Sequence, residues 1–100
     1  MNHYTDKNGY NAIRAASPWR FLARKPPGDH PRGAYFTTLQ PGTPNLARKL
    51  FIPRRKTEYV FPFVDRGDLI PLDGGRGAFI FRSPRDYLVE RPRQGTARKV

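Results

Sequence analysis

Eleven prolines and nine glycines in a chain of one hundred residues interrupt the backbone so often that long regular elements cannot form. Proline fixes φ and lacks an amide proton, and glycine loses the most backbone freedom on ordering. The expectation is several short strands and loops, not a helical bundle. Any core has to be assembled from those pieces. The chain is only 37% hydrophobic, with a mean hydropathy of -0.75, yet aromatic residues make up 13%, and disordered segments are usually depleted in them. One small domain with a modest core follows, with no room for a second. No cysteine is present, so neither a disulfide nor a cysteine-metal framework can hold it.

Between the breaks, short elements can be read. Tyr10, Ile13 and Ala16 recur at three-residue steps, which predicts a helix from about Asp6 or Asn8 to Ala16, with Asp6 as its cap. Residues 25–33 (K-P-P-G-D-H-P-R-G) cannot be a regular element and read as a loop. Residues 34–39 (A-Y-F-T-T-L) are aromatic and β-branched and predict a strand. Thr43 as N-cap and Pro44 in the first turn predict a second helix, with Leu46 and Leu50 one turn apart and Pro53 closing it. Residues 58–64 (E-Y-V-F-P-F-V) read as a covered strand, with Pro62 marking an edge or bulge. Residues 69–72 and 78–81 bracket a glycine-rich connection at 73–77, and 87–89 form a last strand. The fold class expected is α+β, a split antiparallel β core with two short helices over residues 1–91, followed by a basic tail, 92–100, that frays.

Nineteen Lys and Arg against eight Asp and Glu give a net charge of +11. The excess is spread along the chain: 8 basic and 2 acidic side chains in residues 1–50, 11 and 6 in residues 51–100. A partner or substrate is therefore expected to be anionic: nucleic acid, nucleotide, acidic protein or a lipid surface. Apolar runs of about four residues are far short of the roughly 20 that cross a bilayer. The first residues lack the basic start and apolar stretch of a secretory signal. A cytoplasmic site of action is expected, for a protein that stays inside, is secreted, or is delivered as part of a longer chain.

Several chemistries find no footing. His3 and His30 are far apart in sequence and neither has metal-ligand spacing around it, so no metal site is expected. Ser17 and Ser83 each precede a proline, and neither sits in a nucleophile elbow. Residues 74–77 (G-G-R-G) lack the Lys-Ser/Thr end of a phosphate loop and read as a turn. Arg66-Gly67-Asp68 also reads as a turn.

Three segments say more in combination. His3-Tyr4-Thr5 precedes the first helix, Gly33-Ala34-Tyr35-Phe36 enters a strand, and Asp86-Tyr87-Leu88-Val89 forms the last one. In this order they resemble the His-Tyr-Glu pattern of diphtheria-toxin and poly(ADP-ribose) polymerase-like ADP-ribosyltransferases, with aspartate in place of glutamate. The chain is more closely similar to the small His-Tyr-Asp family of ADP-ribosyltransferase toxins. It shares with them Y-T-D-x-x-G-Y-N-A-I, P-P-G-D-H-P, A-Y-F-T-T-L and S-P-x-D-Y-L-V, over roughly residues 3 to 91.

The resemblance implies a mono-ADP-ribosyltransferase toxin or effector. Such an enzyme cleaves NAD, its substrate, and passes ADP-ribose to a macromolecule, nucleic acid or protein. An immunity protein would be a further partner. Asp86 would stabilise the oxocarbenium-like ribose, a task for which a carboxylate is suited. Tyr35 would stack on the cationic nicotinamide ring, an attraction of about 0.5–2 kcal/mol. His3 would hydrogen-bond a ribose hydroxyl on the adenosine side, the Tyr4 backbone would clamp the carboxamide, and Thr5 would support them. Gly33 and Phe36 complete the second segment. NAD would lie between the strands of Tyr35 and Asp86, under the 25–33 loop. Arg24, Arg32, Arg54, Arg55, Arg82 and Arg85 are candidates for phosphate or acceptor contacts.

Position alone leaves Asp68, Glu58 and Glu90 as rivals to Asp86, with Asp68 second. The larger relatives have glycine where this chain has Tyr4. Only two residues precede His3 here, which predicts a weakly anchored first strand unless upstream residues or a partner hold it. Arginine-modifying relatives place an acceptor-activating acid or glutamine where this chain has Pro84. Two other readings stand beside the transferase: an NAD glycohydrolase, and a non-catalytic RNA-binding module that stacks bases on Tyr35, Phe36, Tyr59 and Phe61.

Overall fold

A computed structural model describes residues 1–26, 30–72 and 79–100. The tip of the 25–33 loop and the glycine-rich 73–77 connection lie outside the described residues. The fold is α+β, with two short helices and mostly antiparallel strands in two sheets, one six-stranded and one two-stranded.

In chain order the strands are β1 (Asn2–Thr5), β2 (Trp19–Phe21), β3 (Ala34–Thr37), β4 (Tyr59–Pro62), β5 (Ile70–Pro71), β6 (Ile80–Ser83), β7 (Tyr87–Val89) and β8 (Arg98–Lys99). The large sheet runs β5-β6-β3-β1-β4-β8, and β2 pairs with β7 alone. Helix α1 (Lys7–Ala15) begins where the sequence predicts, because the Asp6 carboxylate accepts the Gly9 amide at 2.9 Å and satisfies an orphan first-turn donor. Helix α2 (Leu46–Leu50) begins later than predicted. Asn45, in the left-handed region at φ 58, precedes it with no side-chain cap. The Thr43 hydroxyl instead donates to the Gln40 carbonyl at 2.6 Å, a turn closure that removes it from the helix.

The central strands β1 and β4 face two cores. Phe36, Phe61 and Phe63 face the second sheet and meet Trp19, Phe21, Tyr87 and Val89 in the main cluster. On the other face Tyr4 and Val60 pack with Leu46 of α2. Rings in the main cluster meet edge to face, as Phe21 with Phe36 at 5.3 Å and Trp19 with Phe61 at 5.0 Å, the geometry that the ring quadrupole favours. That is how a chain with so little hydrophobic content closes a core.

Two expectations about the chain ends need correction. The first strand is not weakly anchored: β1 lies between β3 and β4 and pairs with all four residues of β4. The Asn2 side-chain Nδ2 and the Tyr4 hydroxyl both donate to the Leu39 carbonyl, at 3.0 and 2.9 Å. Nor does the basic tail fray. The Val64 amide donates to Arg93, Gly95 to Pro62 and Val100 to Glu58, while Tyr59 and Val60 pair with Lys99 and Arg98. Strand β4 offers an open edge, and backbone pairing along it outweighs the repulsion of a solvated cationic tail. The predicted irregularity at Pro62 falls on this edge, where its carbonyl alone is used, so its missing N–H costs nothing.

Candidate functional site

The three motif segments converge on the first half of β3. Strands β1 and β3 meet in register at one pair, Asn2 and Thr37. One step further along, the Tyr35 carbonyl is met by a side chain: His3 Nδ1 lies 2.8 Å from it. A carbonyl can only accept, so Nδ1 carries the proton and Nε2 presents a lone pair. Among the described residues no group hydrogen-bonds to Nε2. The ring packs between Phe21 and Phe36, with centroids at 4.7 and 5.6 Å. Burial lowers its pKa to about 4, against the opposing pull of the Tyr35 bond and with a smaller push from Lys56, so the imidazole is neutral at pH 7.

Tyr4 follows the strand alternation to the other face, where its buried ring joins Leu46 and Val60. Burial raises its phenol to about 12. The Tyr4 side chain is thus turned away from His3. Thr5 caps nothing. Its Oγ1 lies where a Cβ on Gly9 would stand, at 1.9 Å, which explains the glycine in the helix. The Tyr35 ring lies on the opposite face of β3 from Phe36. Its hydroxyl donates to the Pro31 carbonyl, and the His30 ring stands edge-on to it at 6.3 Å. The described part of the 25–33 loop therefore lies over Tyr35, held at its base by paired Arg24 and Gly33. The rings of His3 and Tyr35 face different sides of one strand, so a ligand touching both must reach across the point where β1 and β3 part.

Gly33 is buried against β6, where a Cβ would come within 2.7 Å of the Ser83 carbonyl. This close approach brings 82–86 alongside. Arg82 sits opposite Tyr35 and donates to the Arg32 carbonyl at 3.4 Å. Asp86 closes the end of the small sheet. One oxygen accepts the Ala23 amide at 2.8 Å, and the other accepts Arg20 Nε and Nη2 at 3.2 and 2.8 Å. The Ala23 amide first, then Arg20 and more weakly Arg32, hold its carboxyl below the usual carboxylate range. Of the candidate arginines, Arg24 pairs with Gly33, Arg82 lies opposite Tyr35 and reaches Arg32, Arg32 acts on the Asp86 charge, and Arg85 adjoins Asp86 in the chain. Arg54 and Arg55 lie apart, on a 3-10 turn, Arg54–Thr57, packed against α2.

Asp68 has a separate setting. It accepts the Tyr87 hydroxyl and Arg66 Nε, both at 2.6 Å. Burial raises its pKa, but these bonds outweigh that and leave it below the ordinary value. Arg93 donates to the same Tyr87 hydroxyl at 2.7 Å. Glu58 precedes β4 and Glu90 follows β7, both exposed. Sequence reasoning did not single out Phe21, the ring nearest His3; its only signal was the apolar alternation of Trp19-Arg20-Phe21. No group of three or more His, Asp or Glu among the described residues could hold a metal, and none of their helices is long and apolar enough to cross a membrane. No protein-family model, curated protein or solved structure matches the chain.

Proposed function

We propose that this chain cleaves NAD and transfers ADP-ribose to a macromolecular acceptor, as a mono-ADP-ribosyltransferase of the toxin or effector kind. The observation that carries the reading is His3: a neutral ring with one nitrogen fixed on the Tyr35 carbonyl and the other an unclaimed acceptor. Such a group is preorganised to receive a ribose hydroxyl without first losing a proton. In support, Arg24, Arg32, Arg82 and Arg85 provide cationic surroundings suited to a pyrophosphate. Asp86 is ionised among them. Its pair with Arg20 is exposed, 58% and 34% for the two side chains, and solvent screens such pairs strongly, so a ribose hydroxyl can displace Arg20 at little cost.

In the reaction, the bond between ribose C1′ and the nicotinamide nitrogen breaks, and its electron pair leaves with nicotinamide, which becomes neutral. Asp86 stabilises the positive charge developing on the ribose while Tyr35 holds the nicotinamide ring. The acceptor forms the new bond to C1′ and releases its proton to solvent. Pro84 provides no acceptor-activating group, which favours an acceptor other than arginine. With water as acceptor the same site is an NAD glycohydrolase.

The test is nicotinamide release from NAD by the purified chain, alone and with RNA or an acidic protein, beside Asp86→Asn, Tyr35→Ala and His3→Ala. A fall of about a hundredfold for Asp86→Asn, roughly 2.7 kcal/mol of transition-state stabilisation, is expected in a protein that keeps its circular dichroism. No release and no NAD binding by the folded wild type would remove the enzyme reading and favour an RNA-binding module that stacks bases on Tyr35 and Tyr59 alone, because Phe36 and Phe61 are buried in the core.

A further inference from the structure

We infer that the outer face of the small sheet is a docking surface for an acidic protein, the acceptor in the transfer proposed above. Along residues 19–24 buried and exposed side chains alternate. Trp19 and Phe21 enter the main cluster, while Arg20, Leu22 and Arg24 are exposed. On β7, Tyr87 and Val89 are buried in the same way and leave Leu88 outside, directly across from Arg20. The bond from Arg20 to Asp86 puts that carboxylate on this face too. Leu22 and Leu88 are 46% and 43% exposed and belong to neither core cluster. Two aliphatic side chains thus lie open to solvent on the face that carries the carboxylate of the proposed reaction.

An acceptor has to approach C1′ beside Asp86, so this face is what it touches. Leu22 and Leu88 offer a base no ring to stack on and a phosphate no donor, whereas an apolar side chain of a protein covers them. The rim sets the charge of that protein. Arg24, Arg32 and Arg85 are exposed and form no ion pair; the two pairs among the described residues are Arg20–Asp86 and Arg66–Asp68. Against these cations stands the exposed Glu90, two residues beyond Leu88. An apolar centre with a cationic rim is complementary to an apolar side chain set among carboxylates. That the docked protein is the acceptor rests on the NAD-cleaving reading; the docking itself needs no NAD.

The experiment is fluorescence anisotropy without NAD, in about 100 mM salt, with two labelled peptides of equal length. One is polyglutamate, and the other has leucine at every third position. The leucine-bearing peptide is expected to bind about fivefold or more tighter. Leu22→Thr with Leu88→Thr, side chains that a strand accepts, is expected to remove that advantage and to leave polyglutamate within about twofold. Arg24→Ala with Arg85→Ala is expected to weaken both peptides about fivefold or more, and Arg48→Ala with Arg55→Ala, the same charge change on the α2 side, to stay within about twofold. Equal affinities of the wild type for the two peptides would overturn the proposal. So would an advantage that survives the leucine substitutions, equal losses from both arginine pairs, or no measurable binding. Displacement of the leucine-bearing peptide by oligouridylate more effectively, charge for charge, than by the unlabelled peptide would reassign the face to nucleic acid. Nicotinamide release by the same wild-type sample is read separately: release without peptide binding ends the docking proposal alone, and binding without release ends the NAD reading alone. Circular dichroism confirms that each variant is folded before its affinity is read.

Discussion

His3 is held by a single short bond to a backbone carbonyl and two flanking rings, and its protonation is linked to folding. The unfolded ring takes up its proton near pH 6.5, whereas the folded ring does so only near 4. The unfolded state therefore binds more protons between these values. Stability from this residue is complete above about pH 6.5 and is lost as pH falls toward 4, by roughly 2–3 kcal/mol. Urea denaturation at pH 7 and pH 4.5 should show this loss in the wild type and a smaller one in His3→Gln; equal losses would mean that the ring is not buried in its neutral form. Asp86 differs, being exposed and ionised throughout the neutral range. Its motif position was legible in the sequence, but its grip on Ala23 and Arg20 was not, because those partners lie more than sixty residues away along the chain.

At the level of elements, the approach of β3 to β6 depends on Gly33. A methyl group there would stand 2.7 Å from the Ser83 carbonyl, closer than van der Waals contact allows, so the strands must separate. Gly33→Ala is expected to cost about 1–3 kcal/mol and to weaken NAD binding by displacing Tyr35 and Arg82. Thermal unfolding and NAD calorimetry would check both; an unchanged melting temperature would show that β6 yields freely. Helix α1 was readable because a local device, the Asp6 cap, starts it. The start of α2 was misread because Thr43 has two uses with similar local signatures, and the turn to Gln40 took precedence.

At the level of the molecule, the last ten residues close the large sheet. Arg93 lies over the rings of Phe63 and Tyr87 at 5.6 and 5.5 Å and donates to the Val64 carbonyl and the Tyr87 hydroxyl. Deleting residues 92–100 removes these contacts and the pairing of β8, and is expected to cost roughly 3 kcal/mol or more. Chemical denaturation of the shortened chain would measure it, and stability within about 0.5 kcal/mol of the full chain would restore the picture of a free tail.

The α+β class, most of the short elements, the Asp6 cap and the segments around His3, Tyr35 and Asp86 were legible in the linear chain. These rest on interactions within a few residues: glycine and proline punctuation, alternation, and a side chain capping its own helix. Which face each of those residues turns to was set by the assembled fold. Tyr4 is buried against α2, the rings of His3 and Tyr35 lie on opposite sides of β3, and a tail rich in charge becomes an edge strand. Each depends on a partner distant in the chain, and pairing across an open sheet edge leaves no local mark in a segment whose own composition favours solvent.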